Sequence, residues 1–530
     1  MSLQKLNVYC QPSMYKTLDT SFYKDPATID PRKCGDAISS AAIFLLFKGL
    51  TRLQADHKIE FDLAESIHLS GDEKRYVFHL GEHYWSDGRP ILASDIEYSW
   101  KTLLRPDFPS LSAHLFHPIK NAEKAKKGKV PIEKVGVYSQ GPRTLIVELE
   151  HPIPYFLELI SFCTFFPVPQ HCQEQFSLLF GSSFVSSGPF QLVDWQQGKK
   201  ILLKKNPLAR NGFSVFLDQI QIHIIPDEKL AFSLFEKGEM DWIGEPFSPL
   251  PLNYLPALSE NWENQPIGGV ALCFFNTLQP PFFNQKLRQA FSYGIQREKL
   301  LRKLYLPHAT AAEGLVPPIL KANRQKAFIS EADASLAKEL FQQGLQELKK
   351  SSKGLGIVLS FEASELGFQI AQCLQKDWKE AFSLTVSLEP LEFKMFYDRL
   401  SKRQYTLAFT QWMAQYTDPM NILERFKDQE GGKNFSGWKD QEYRDLLERY
   451  LKQPNRQKRL DLIEQAEGVL MKQMPVAPIY YFSFSYLKQP YLKNLLFSPI
   501  GRVYLEQVYF DVKHQEVPVQ RPAPAVKFFI

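Results

Sequence analysis

Residues 356–415 decide the fold. Gly356-Ile-Val-Leu-Ser-Phe361 is apolar and partly β-branched and reads as a strand. The stretch 366–380 follows with Leu366, Ile370 and Leu374 at the spacing of one helix face. Leu384-Thr-Val-Ser-Leu388 is a second strand, 393–401 a second helix, and Gln404-Tyr-Thr-Leu-Ala-Phe-Thr410 a third strand. A βαβαβ unit implies a parallel sheet with right-handed crossovers. Ligands of such sheets sit beyond the carboxyl ends of the strands. Those ends are Phe361-Glu362-Ala363 and Thr410-Gln411-Trp412-Met413-Ala414-Gln415, which places Glu362 and Trp412 near one cleft. Further helices are expected over 441–451 and 455–472.

Outward from this unit, the first half is strand-rich. Period-two alternation marks 76–80, 144–149, 201–205 and 219–225. Turns punctuate them at Ser86-Asp87-Gly88, Gln140-Gly141-Pro142 and Ser187-Gly188-Pro189. Ser94-Asp95 opens a helix through Leu104, and Pro226-Asp227-Glu228 opens another that stops at Lys237-Gly238. The class is mixed α/β.

The 530 residues leave room for roughly three to four units of about 150. An apolar fraction of 44% with 23% charged residues is globular and excludes general disorder. The 63 Lys+Arg against 58 Asp+Glu leave only +5. The densest basic run, 120–129, also holds Glu123 and Gly128 and reads as a solvated loop, so no nucleic-acid partner is expected. The 41 Phe, 22 Tyr and 8 Trp are the unusual figure and suit a large apolar cleft. No apolar run reaches the roughly 18 residues of a membrane helix. The six cysteines form no ligand cluster; Cys163 and Cys172 are the nearest pair in sequence, and buried free thiols are expected.

The catalytic inventory is thin. There is no Gly-x-Ser-x-Gly elbow, no His-Glu-x-x-His helix and no Gly-rich phosphate loop. His171, Cys172 and Glu174 lack further ligands at a metal-binding spacing. Glu239 and Asp241, two positions apart, read as solvated. No catalytic residue, metal or cofactor is assigned.

The specific segments are of another kind. They run in order through Asp30-Pro31, Phe47-Lys-Gly-Leu50, Trp85-Ser-Asp-Gly88, Tyr98-Ser-Trp100 and Phe166-Pro-Val-Pro169. They continue through Ser187-Gly-Pro-Phe190, Phe235 to Trp242, Arg288-Gln-Ala290, Trp412 to Pro419 and Pro478-Ile-Tyr-Tyr481. This ordered series resembles the family 5 extracellular solute-binding proteins, the oligopeptide- and dipeptide-binding components of ABC importers. The resemblance spans nearly the whole chain.

It implies a two-lobed periplasmic-binding-protein fold of type II, with an extra inserted subdomain and a deep interlobe cleft. Lobe I would comprise 1–47, 172–272 and 486–530, the insertion 48–171, and lobe II 273–485 with the βαβαβ unit. In peptide-binding relatives the segment after the third strand reads Trp-x-x-Asp, and that Asp pairs with the peptide's ammonium. Here the position is Gln415, a neutral amide, with Asp418-Pro419 retained. An ammonium there would have to find Glu362, Asp36 or Asp418.

By the same resemblance Trp412 is the cleft Trp, flanked by Met413 and Ala414, and Phe393 and Glu362 are ligand contacts. Gly35, Asp36 and Ala37, within 35–39, form a strand edge for the peptide backbone. Tyr480 and Tyr481 lie near the return crossing, and Leu111 replaces a Tyr whose contact is lost. The implied partners are a peptide and the membrane subunits of an ABC permease; a monomer is expected. The implied location is the periplasm or cell envelope, with an export signal encoded upstream of about Leu3. Gln415 keeps a second class open: the same scaffold with a metal chelate, haem, an opine or an N-terminally blocked peptide. A hydrolase using cleft carboxylates is the remaining alternative.

Overall fold

The computed structural model describes residues 16–172, 183–210, 215–251, 262–304, 306, 308–321, 326–329, 333–430 and 433–511. The tail at 517–524 lies outside them. The expected βαβαβ unit is present. Val358–Glu362 is its central strand, parallel to both Ser387–Leu391 and Leu407–Met413. Glu365–Phe382 starts where the Ser364 side chain accepts from the Gly367 N–H (3.1 Å) and buries Ile370, Leu374 and Trp378. Phe393–Ser401 is capped by Glu392.

Two strands lie three residues later than their sequence pattern suggests. Ser387–Leu391 contains Pro390, which lacks a donor; it is tolerated because this strand is the edge of the sheet. Leu407–Met413 is extended by an antiparallel neighbour, Glu263–Phe275, whose Gly269 and Val270 face Met413 and Trp412.

That neighbour ties the molecule together. Glu263–Phe275 and Val476–Lys488 are each 13 residues long and pair antiparallel. Their 269–275 and 476–482 halves belong to the βαβαβ side. At its far end, Tyr486 to Lys488 pair with Trp242–Gly244, which adjoins Thr17–Phe22. Beyond lie Gln219–Ile224, Lys200–Lys205 and Phe190–Gln196. The result is one 11-stranded sheet serving two lobes. One buried cluster surrounds Leu18, Ile43, Phe47 and Trp242; another runs from Phe78 and Trp100 through Phe274 to Trp378 and Leu447.

A separate four-stranded antiparallel sheet is made by Ala64–Leu69, Arg75–Leu80, Thr144–Glu148 and Val137–Ser139. Ala93–Leu104 packs on it, held at its start by Asp95, which accepts from the Leu92 N–H (2.8 Å). The basic run is a short helix, Ala122–Lys126, and not a loop. Lys126 donates to the Leu103, Arg105 and Phe108 carbonyls, covering the end of the longer helix. Asp241 is buried, accepting from the Asp19 N–H and the Tyr491 hydroxyl. Cys163 lies against Cys34, with sulfurs 3.4 Å apart, and not against Cys172; all five cysteines described are free thiols.

Two buried arginines fix the second crossing strand. Arg288 donates to the Gln473 and Met474 carbonyls, and Arg297 donates to the Pro478 carbonyl from Nε (2.9 Å) and Nη2 (2.7 Å). Burial without a carboxylate beside it lowers each guanidinium to about 10. Arg297→Met would leave the Pro478 carbonyl unpaired, a cost of about 2–3 kcal/mol. Urea unfolding of the variant should show a lower midpoint with an unchanged slope; an unchanged midpoint would contradict this role.

Candidate functional site

A cavity of about 530 Å³ lies against the end of Leu407–Met413. Trp412, Met413, Ala414, Gln415 and Phe393 line it. So do Gly35, Asp36 and Ala37, together with Leu111, Ser112 and Phe162. Trp412 is only 5% exposed because its ring also packs on Phe274 (4.9 Å) and Phe426 (5.8 Å). It is at once core and cavity lining. The chain leaves the sheet at Ala414, whose N–H donates to the Gly268 carbonyl (2.8 Å), and this sets where Gln415 stands. Phe393, the first residue of its helix, is 55% exposed.

Glu362 occupies a smaller adjoining cavity of about 170 Å³ with Tyr397 and Thr410. Burial pushes its carboxyl up, while Lys24 opposes the shift. Tyr480 lines a third cavity, of about 290 Å³, and its hydroxyl accepts from Gln411 (2.9 Å). Gln411 lines all three, so the cavities adjoin one another around its side chain. Tyr481 lines none of them; its hydroxyl accepts from the Gly314 N–H and donates to the Gly314 carbonyl.

The expected strand edge at 35–39 is instead the start of a helix, Ala37–Leu46. Asp36 is the reason: its carboxylate accepts from the Ser39 N–H (3.0 Å) and Oγ (2.6 Å), an N-cap that outweighs any extended preference. Gly35 lies close under Leu111: a Cβ there would stand 2.4 Å from Leu111 Cδ1 and 3.0 Å from Leu111 Cβ, so Leu111 would have to shift. Leu111 lines the cavity with an aliphatic side chain.

Neither remaining carboxylate candidate is free for an ammonium at Gln415. Asp36 is spent on its cap. Asp418 accepts from the Met420 N–H (2.9 Å) and from the Tyr450 hydroxyl. It also lies close to Glu158, which accepts from the Thr417 hydroxyl. Tyr155 stacks on Tyr416 at 4.8 Å in the same contact, which joins the 144–165 region to the second lobe. Burial, then the Asp418 charge, pushes the Glu158 carboxyl up to about 7.

Sequence reasoning placed Gln411 at the strand end without assigning it as a contact, and missed Arg425 and Lys433, which also line the cleft. No spacing announces these two: Lys433 meets His114 across 319 positions. Arg425 lies over the Trp412 ring at 4.2 Å, and Lys433 Nζ stands 2.8 Å from His114 Nε2. Burial, with Lys433 and Arg425 nearby, holds His114 well below its ordinary range and so neutral.

Comparison with known proteins gives consistent matches. A model of the bacterial extracellular solute-binding proteins, family 5, matches residues 58–434. The oligopeptide-binding protein OppA of Bacillus subtilis is 33% identical over 504 residues, covering 93% of this chain and 92% of its own. A probable deoxycholate-binding periplasmic protein of Escherichia coli K12 is 28% identical over 508 residues, 92% of each chain. The structure of a periplasmic oligopeptide-binding protein from Borrelia burgdorferi superposes with a TM-score of 0.82 at 25% identity, covering 94% of this chain and 100% of that one.

The Glu158 contact carries a pH signature. Its carboxyl binds a proton more tightly folded (about 7) than unfolded (4.5). Its contribution to stability is therefore present below about pH 4.5 and is lost as pH rises through 7. Glu158→Gln removes that loss. The melting temperature of the variant relative to the parent should climb from pH 5 to pH 8; a difference independent of pH would refute the assignment.

Proposed function

The chain belongs to the bacterial extracellular solute-binding proteins, family 5, and on that premise we propose that it captures peptides in the cleft and hands them to the membrane subunits of an ABC importer. The observation that carries this is the cleft itself. Its lining comes from both ends of the sheet, so lobes that move relative to each other open and close it. The chemistry is binding and release, with no catalytic step.

Lobe I is taken as 1–47, 172–272 and 486–530, the insertion as 48–171 and lobe II as 273–485. The hinge is assigned to the crossing strands, whose pairing shifts register between Pro266 and Gly269. Cleft contacts are assigned to Gly35, Asp36, Ala37, Phe393 and Trp412 to Gln415, with Glu362 and Tyr480 farther along. The working location is extracytoplasmic, in the periplasm or at the cell envelope, as a monomer. Among the described residues no helix is long and apolar enough to cross a membrane.

A second reading, a non-peptide or N-terminally blocked solute on the same scaffold, is favoured by Gln415 at the ammonium position and by the likeness to the deoxycholate-binding protein. Native mass spectrometry of protein purified without refolding decides between them. A ladder of bound peptide masses is expected; one non-peptide mass would overturn peptide capture in favour of the second reading.

A further inference from the structure

Taking the cleft as the solute site, the charges around Gln415 say more about what sits there. Arg425 and Lys433 line the 530 Å³ cavity beside Gln415. Arg425 donates from Nε to the Asn421 carbonyl (3.0 Å) and from Nη2 to Asn421 Oδ1 (3.4 Å), both neutral acceptors. Lys433 meets the neutral His114 imidazole, to which the Gln415 side chain is also hydrogen-bonded. Neither cation forms an ion pair among the described residues. Glu424, the nearest carboxyl, is turned to the Tyr416 hydroxyl (2.9 Å) and is pushed by burial up to about 7, so it is a partial counter-ion at most. Burial next to Arg425 drives the Lys433 ammonium down to about 7, the mark of a cation short of anions.

Of the other charges on this cavity, Arg502 shares Glu506 (2.9 Å) with Arg52, and Asp36 accepts from the neutral Ser39 N–H and Oγ, so cations outnumber carboxylates there. The sign reverses along the cleft. The 290 Å³ stretch beyond Gln411 is lined by Glu228, Glu245 and Glu365. Glu228 and Glu365 stand near enough to raise the Glu228 carboxyl, with burial as the larger cause. The cleft is thus cationic at Gln415 and acidic past Gln411.

We propose that the Gln415 end of the cleft receives an anionic group of the ligand, a carboxylate, held by Lys433 and Arg425 with the Gln415 amide beside it. An ammonium placed there would meet Arg425 and the protonated form of Lys433, and the Asp36 carboxylate on the same cavity is already hydrogen-bonded to Ser39. A carboxylate replaces the missing counter-charge of both. Gln415 is then part of an inverted end site, and not a weakened version of the acidic one.

Calorimetry on four forms of one peptide tests this. The reference is N-acetylated and C-amidated. The others carry, one at a time, an N-succinyl carboxylate, a free C-terminal carboxylate or a free N-terminal amine. One of the two carboxylate forms should bind about ten- to a hundredfold more tightly than the reference. Which of them gains gives the direction in which the peptide lies. Lys433→Met should abolish most of that gain, read as the ratio of each carboxylate form to the reference within the variant. Because the comparison among forms is made on the parent protein, it stands even if the variant is unstable. If the free amine binds tightest, or Lys433→Met leaves the carboxylate gain intact, the proposal is overturned while peptide capture survives.

If no peptide form binds, peptide capture fails, and the anion site is then read with deoxycholate, a carboxylate without peptide bonds. Binding that Lys433→Met abolishes supports the site; binding indifferent to that substitution, or none, overturns it.

Discussion

The antiparallel pairing of Glu263–Phe275 with Val476–Lys488 is the constraint on which the rest depends. Each strand runs through both halves of the 11-stranded sheet, so the ladder that joins the halves is where the proposed hinge would lie. The βαβαβ side of the pair is clamped, because Arg288 and Arg297 hold the carbonyls of 473–478. The pairing shifts register twice, between Pro266 and Gly269 and between Ala271 and Leu272, and the first shift lies beyond the carbonyls that the arginines hold. Gly269 is needed there: a Cβ would come within 2.3 Å of the Phe482 ring. The proposed hinge is assigned to the shift outside the clamp, since dihedral change collects where few contacts oppose it.

Much of this was legible in the sequence, and the failures have physical causes. The βαβαβ order was readable because period and caps are local: Ser364, Glu392 and the Ile370–Leu374 face all lie within their own elements. The strand ends were not, because Glu263–Phe275 prolongs Leu407–Met413 from far away in sequence and Pro390 reads as a breaker unless the strand is known to be an edge. The resemblance suggested an extended segment at 35–39, and one local interaction, Asp36 with Ser39, made it a helix.

The cleft shows the same division. Trp412 to Gln415 and Phe393 could be placed from the strand ends and the resemblance together. Arg425, Lys433 and His114 could not, since their mutual positions depend on three segments that only the fold brings together. What they reveal is a pattern of matched and unmatched charge. The carboxylates within reach of Gln415 are committed to a helix cap, to Tyr450 or to Tyr416. Arg425 and Lys433 are held by neutral partners, Asn421 and His114. In a half-buried site that asymmetry is felt strongly, because burial makes an uncompensated charge costly and a compensated one specific.

The central claim is that a solute is enclosed by lobes moving about the crossing strands. Small-angle X-ray scattering on protein freed of bound ligand, then saturated with a peptide whose binding is verified by calorimetry, tests it most directly. A compact chain of 530 residues should have a radius of gyration near 24 Å, roughly the value expected for the bound form. The account predicts a larger radius without ligand and contraction on saturation. An identical scattering profile in the two states, with ligand demonstrably bound, would contradict it.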